Sequence, residues 1–181
     1  MKNTEIVVLR LGHRPGRDDR MTTHVGLTAR ALGADRFMLA ATDGSPLERI
    51  NDVTTRFGGT FSTEQVDSAR RVLRNWSGTT VHLTMYGLPI QEHLDDIREQ
   101  VAAPESDLLI VVGAEKVPFD VYEKADWNIA VTNQPHSEVA GLAVFLERFQ
   151  DGEALTASFP GGTHTIIPQA TGKRVEERTE P

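Results

Sequence analysis

Apolar runs that break the in–out alternation of an exposed sheet recur along this chain, and stretches of helical spacing separate them. EIVVLRLG, RFMLAA, TTVHLTMYG, DLLIVVGAEKVP and WNIAVTNQ read as strands. Unbroken apolar runs suit parallel strands, because each face of such a sheet is covered by helices. TTHVGLTARALGA carries Val25, Leu27 and Leu32, with threonines at its start and Gly33 as a stop, and predicts a helix. SPLERINDVTTRFGG has a Ser-Pro start, Leu47, Ile50, Val53 and Phe57 at helical spacing, and a Gly-Gly stop. EQVDSARRVLRNW continues the same period through Val66, Ala69, Val72, Leu73 and Trp76. IQEHLDDIREQV puts Ile90, Leu94, Ile97 and Val101 on one face. A further helix is expected from about Ser137 to Phe149, and HTIIP, after the FPGG turn, reads as a last short strand.

The alternation predicts an α/β fold, a mainly parallel sheet with helices on both faces. Residues 1–170 read as a single domain and 171–181 as a polar C-terminal tail that frays. No internal repeat, linker or low-complexity segment interrupts the pattern.

Composition narrows the function. There is no cysteine, which excludes disulfides and thiolate-bound metals. The N-terminus MKNTEIVVLRLGH has no signal-peptide pattern and no apolar run reaches membrane-spanning length, so a cytoplasmic protein is expected. A formal net charge of −7 argues against a general nucleic-acid coat, which must neutralise many phosphates. The basic residues are nonetheless 15 Arg against 4 Lys, and Arg binds phosphate in a fork. RLGHRPGRDDR holds four Arg against two Asp, so it is locally positive. It is either an anion-binding loop or a solvated one with internal ion pairs.

In parallel sheets, ligands collect beyond the carboxyl ends of the strands. Three of those ends are unusual here: LTMYG, VVGAEKVP and VTNQPHS. Gly113 would let the backbone approach a ligand closely. The spacing is neither a P-loop nor Gly-x-Gly-x-x-Gly. A structural turn and a binding loop stay equal readings of that stretch. TNQPHS brings Asn133, Gln134, His136 and Ser137 to a helix start, after Pro135. Ser137 and Glu138 resemble capping chemistry, but capping needs one or two such side chains rather than four. No Gly-x-Ser-x-Gly elbow supports a serine hydrolase. His13, His24 and His136 lack metal-ligand spacing, and no metal is expected.

Together, LRLGHRPGRDDRMTTHVGLTARALGADRF, LTMYG, LLIVVGAEKVP and WNIAVTNQPHSEVAGLAVFLERF closely resemble the archaeal tRNA cytidine-56 2′-O-methyltransferases of the SPOUT superfamily. The resemblance runs from about Ile6 to Pro168. It implies a C-terminal trefoil knot, a homodimer with the active site at the subunit interface, tRNA as partner, and S-adenosyl-L-methionine as cofactor. The helix SEVAGLAVFLERF is then the candidate interface.

The cofactor residues implied are Leu83, Thr84, Met85 and Gly87; Gly113, Ala114, Glu115, Lys116 and Val117; and Val131, Thr132, Asn133, Gln134, Pro135, His136 and Ser137. Asn133 and Gln134 would face the adenine or the methionyl end, with Leu83 against the ring. Related 2′-O-methylating enzymes carry an Asn and, six residues on, an Arg. Here THVGLTAR puts Arg30 six residues after His24, which stands where Asn is usual. Arg30 is expected to clamp phosphate and ribose and to stabilise developing negative charge. His24 orients Arg30, contacts RNA or packs. Arg14, Arg17 and Arg20, with His13, would contact RNA phosphates. A non-catalytic RNA- or nucleotide-binding module and a SPOUT enzyme acting on another RNA are the alternatives.

Overall fold

The computed structural model describes residues 4–103, 106–113 and 116–177. Six strands form one sheet: β1 (Ile6–Leu11), β2 (Arg36–Ala40), β3 (Ser62–Val66), β4 (Thr79–Pro89), β5 (Leu108–Gly113) and β6 (Trp127–Ala130). Their order is β3-β2-β1-β5-β4-β6, and every neighbouring pair is parallel. The connecting helices are α1 (Asp19–Ala31), α2 (Ser45–Phe57), α3 (Ala69–Asn75), α4 (Ile90–Val101), α5 (Phe119–Lys124) and α6 (Glu138–Phe149).

The unbroken apolar runs are explained by two separate cores. Ile6, Val8, Ile110 and Val112 face one layer, packed with Val25, Ile50, Ile97 and Phe145 from α1, α2, α4 and α6. Val7, Leu9, Leu109 and Val111 face the other, with Leu73 of α3 and Val121 of α5. Adjacent residues of one strand therefore enter different cores, and none can be polar without cost.

Two expectations need correction. EQVDSARRVLRNW is not one helix: Val66 ends the polar edge strand β3, and Ser68 caps α3 by accepting a hydrogen bond from the Arg71 amide at 3.3 Å. Val66 joins the same core as Ala69, Val72 and Trp76 from the strand side, which mimics a continuous helical stripe. The tail expected to fray forms β8 (Arg174–Glu177), paired antiparallel with β7 (His164–Ile167). Helix α6, the candidate interface, turns Leu142, Phe145 and Leu146 into the core of its own chain and leaves Val144 exposed.

Register matters most in β4. Val81 to Leu83 pair with Trp127 to Ile129 of β6, and then Leu88 pairs with Ile129 again. Thr84 to Gly87 are therefore looped out between two halves of one strand. The returning chain passes so close to β6 that a Cβ at Gly87 would sit 2.5 Å from the carbonyl carbon of Asn128. Only glycine tolerates that approach.

Candidate active site

The looped-out segment of β4, the end of β5 and the turn after β6 meet at the carboxyl end of the sheet. They enclose a cavity of about 230 Å³. Of the expected cofactor residues, Leu83, Thr84, Met85, Gly113, Val117, Val131 and His136 line it. Gly87, Lys116, Thr132, Asn133, Gln134, Pro135 and Ser137 do not. Ala114 and Glu115 lie outside the described residues.

The exceptions have physical reasons. Ser137 is the N-cap of α6 and accepts from the Ala140 amide at 3.3 Å, so the capping reading holds for it. Asn133 turns its amide onto the protein: Nδ2 donates to the carbonyls of Met85 at 2.8 Å and Gly87 at 3.0 Å. Through Nδ2 it ties two loops together.

His136 Nδ1 lies 2.7 Å from the Gln134 carbonyl, which can only accept. In the neutral ring, Nδ1 therefore carries the proton and Nε2 is an acceptor, next to Gly141 on the cavity wall.

Several wall residues escaped the sequence reading. His82 is fully buried, bonded to Asn128 at 2.8 Å and packed edge-on to Tyr122. Burial pulls its imidazole below the ordinary value, against the opposing Asn128 hydrogen bond, so it sits there neutral. Glu138 was read only as a helix-start residue, yet it lines the cavity. Arg10 Nη1 donates to its Oε1 at 3.0 Å from behind. Arg10 is 1% exposed, in the middle of an apolar strand, which was the available signal: a buried guanidinium needs a carboxylate somewhere. Arg10 Nε also donates to Thr22 Oγ1, whose own proton can then serve His13 Nδ1, 2.9 Å away.

The basic loop opens at this same end of the sheet. His13 is not at its surface: the side chain is fully buried, with Nε2 facing Asp19 and Asp43 at 3.3 and 3.5 Å. In this conformation the His13 side chain does not reach the surface where a phosphate would lie. Arg14 grips Asp18 through Nε at 3.0 Å and Nη2 at 2.9 Å. Arg17 and Arg20 are exposed. The Arg14 side-chain hydrogen bonds hold Asp18 at about 2, well below the usual carboxylate range. A depressed folded-state value stabilises above the unfolded value of 3.8 and loses that contribution as pH falls toward 2. Asp18→Asn should therefore flatten the acid limb of a stability-versus-pH curve between those values, and an unaltered limb counts against the pair.

Arg30 is not brought to the cavity. It lies in the last turn of α1, which runs back along the sheet and ends where β2 begins. The five residues of β2 alone separate the two ends by roughly 16 Å. Arg30 is 7% exposed; its Nη2 donates to the Gly58 carbonyl at 2.5 Å, and its guanidinium lies over the Phe159 ring. Six residues turn an α-helix by about 600°, so His24 and Arg30 point roughly 120° apart. His24 is exposed and faces away from Arg30 within the chain. The expected catalytic arrangement of these two residues is thus not found within one chain.

No group of three or more His, Asp or Glu side chains among the described residues is placed to hold a metal ion. No helix among them is long and apolar enough to cross a membrane.

Comparison with known proteins decides the family. The family described as tRNA ribose 2′-O-methyltransferase, aTrm56, matches residues 57–176. A tRNA (cytidine(56)-2′-O)-methyltransferase of Natronomonas pharaonis is 60% identical over 172 residues, covering 95% of this chain and 94% of that one. The chain belongs to the tRNA ribose 2′-O-methyltransferase family. The corresponding enzyme of Pyrococcus horikoshii is 51% identical over 173 residues, 95% of this methyltransferase and 85% of the relative.

Solved structures agree on the fold. The SpoU methyltransferase AviRb from Streptomyces viridochromogenes, in complex with AdoMet, superposes with a TM-score of 0.55 at 14% identity, over 83% of this chain and 58% of that one. The A. aeolicus TrmH/SpoU tRNA modifying enzyme gives 0.55 at 16% identity, over 84% and 76%. At such identities the likeness shows the SpoU-type fold of this methyltransferase and nothing finer.

Proposed function

We propose that the chain methylates the ribose 2′-oxygen of cytidine 56 in tRNA, using S-adenosyl-L-methionine held in the cavity between the β4 loop, the end of β5 and the turn after β6. The observation that carries this reading is the convergence of those three segments, far apart in sequence, on one cleft. Its lining fits the cofactor. Leu83, Val112, Val117, Ile129 and Val131 give an apolar wall for a planar base. Glu138 is the only ionised side chain among the described lining residues, and a carboxylate suits a cationic ligand. Bound there, the cofactor supplies a methyl group on a positively charged sulfur.

The chain's own residues supply position and polarity. Asn133 holds the β4 loop against the turn after β6. Arg10 fixes Glu138 with its negative end toward the cavity, a dipole set before any ligand arrives. Arg17 and Arg20, at the same end of the sheet, are suited to tRNA phosphates. The residues after β6 are inferred to thread as a trefoil knot, as the family resemblance implies.

A homodimer follows from that resemblance, and the exposed apolar side chains Tyr86, Leu88 and Phe119 support one. A catalytic part for Arg30 would require the partner's cavity. A single domain over residues 1–170 and a cytoplasmic location complete the reading.

The test is transfer of labelled methyl from S-adenosyl-L-methionine to an unmodified tRNA transcript. Label is expected at one ribose, and 2′-deoxycytidine at position 56 should abolish it. Cofactor binding without transfer to any RNA would indicate a non-catalytic module. Transfer to ribosomal RNA alone would point to another substrate.

A further inference from the structure

At the opposite end of the sheet from the cofactor cavity lies a larger groove, about 760 Å³, within the range of roughly 300–1,000 Å³ typical of ligand clefts. We propose that this groove is a second RNA-contact site that takes one unpaired nucleotide of the tRNA, its phosphate on Arg30 and its base against Phe57, His164 and Ile166. The inference rests on tRNA being the substrate and goes beyond the cofactor site, with which the groove shares no lining residue.

The argument begins with charge. Among the described residues, two arginines are deeply buried. Arg10 has a carboxylate, Glu138, at 3.0 Å. Arg30 has none: among the described residues only its Nη2 finds a partner, the Gly58 carbonyl, while Nε is buried without one. A buried cation with no counter-ion and an unsatisfied donor is costly, so it persists where an anion or acceptor completes it. Stacking on Phe159 at 4.8 Å holds the guanidinium plane fixed and stabilises it only in part.

Shape points to a nucleotide rather than to a free anion. Phe57 and His164 pack ring to ring at 5.7 Å on one wall. Ile166, in β7, is 65% exposed at the rim, an apolar surface that a base would cover. Unpaired bases are recognised by stacking on such side chains, with a basic group on the backbone. Arg56 lies over the Phe57 ring at 5.5 Å, with Asp52 at 3.9 Å from its Nη1, so it adds no free charge to the groove. Glu177 approaches His164 Nε2 at 3.9 Å but is itself 81% exposed, so it does not close the groove.

The groove is also preformed. A Cβ on Gly58, at φ 80°, would lie 2.5 Å from the carbonyl oxygens of Phe159 and Pro160, and one on Gly162 would lie 2.5 Å from the Gly58 nitrogen. Gly59 N donates to the Pro160 carbonyl at 2.8 Å across the same seam.

The test measures binding of full-length tRNA transcript by fluorescence anisotropy, and of S-adenosyl-L-methionine by calorimetry, for Arg30→Met, Phe159→Leu and Ile166→Glu. Stacking and charge contacts of this kind change affinity by about tenfold or more, so each variant should weaken tRNA binding by that factor. Affinity for the cofactor should stay the same. Arg30→Met removes an uncompensated charge, so its denaturant midpoint should be unchanged or higher, an outcome that a purely structural arginine would not give. Unchanged tRNA affinity in Ile166→Glu and Arg30→Met overturns the proposal. So does loss of dimer in sedimentation with tRNA affinity intact, which would make the groove a subunit interface. A lowered kcat at saturating tRNA, with its affinity intact, also overturns it and returns Arg30 to the chemistry. Methyl transfer to tRNA by the unaltered chain is measured alongside, so failure of the groove is distinguishable from failure of the methyltransferase reading.

Discussion

Glu138→Ala is expected to destabilise the protein by about 3–5 kcal/mol, the usual cost of leaving one member of a buried ion pair without the other. Arg10 is 1% exposed and Glu138 is 21% exposed in its side chain, so the stranded group is the guanidinium, which cannot lose its proton to escape. Native domains have only about 5–15 kcal/mol to lose, and the variant should unfold at much lower denaturant. Glu138→Gln keeps an oxygen for Arg10 Nη1 and should cost about 1–2 kcal/mol. The pair Arg10→Met with Glu138→Leu should recover much of the loss, because no charge is then buried. Guanidinium or urea unfolding of the four proteins checks this. If Glu138→Ala were as stable as the parent, the ion pair would not exist as described.

The second large effect falls on cofactor binding. Asn133→Ala should weaken S-adenosyl-L-methionine binding by about 1–3 kcal/mol, because two hydrogen bonds that clamp the β4 loop are lost together. The informative comparison is Asn133→Asp. Both partners of the amide, the carbonyls of Met85 and Gly87, can only accept, so a carboxylate there donates nothing and repels both. Asn133→Asp should be at least as damaging as the alanine variant. If Asn133 instead accepted from the adenine amino group, the aspartate would bind the cofactor nearly as well. Calorimetric titration separates the two, and near-normal affinity for Asn133→Asp would reject the loop-tying role.

Much of the architecture was legible one residue at a time. Unbroken apolar runs specified strands covered on both sides, and LTMYG, VVGAEKVP and VTNQPHS marked the strand ends where the cavity lies. Local chemistry misled where spacing had two causes. Val66 sits at helical distance from Ala69 because strand and helix pack on one core. Arg30 sits six residues after His24, but a helix of 3.6 residues per turn does not put them on one face.

What the amino-acid order determined by itself was therefore the class of fold, the sites of the turns and the family, since these follow from short-range periodicity and motif. The tertiary structure alone decided which polar groups face one another. Arg10 and Glu138 are 128 residues apart, and Asn133 is 48 and 46 from the two carbonyls it holds. Their partners are set by sheet order and by the return of β4 past its own bulge. Neither is written in the local pattern, because hydrogen bonds and charges act through space, whereas periodicity reports only which side of an element is covered.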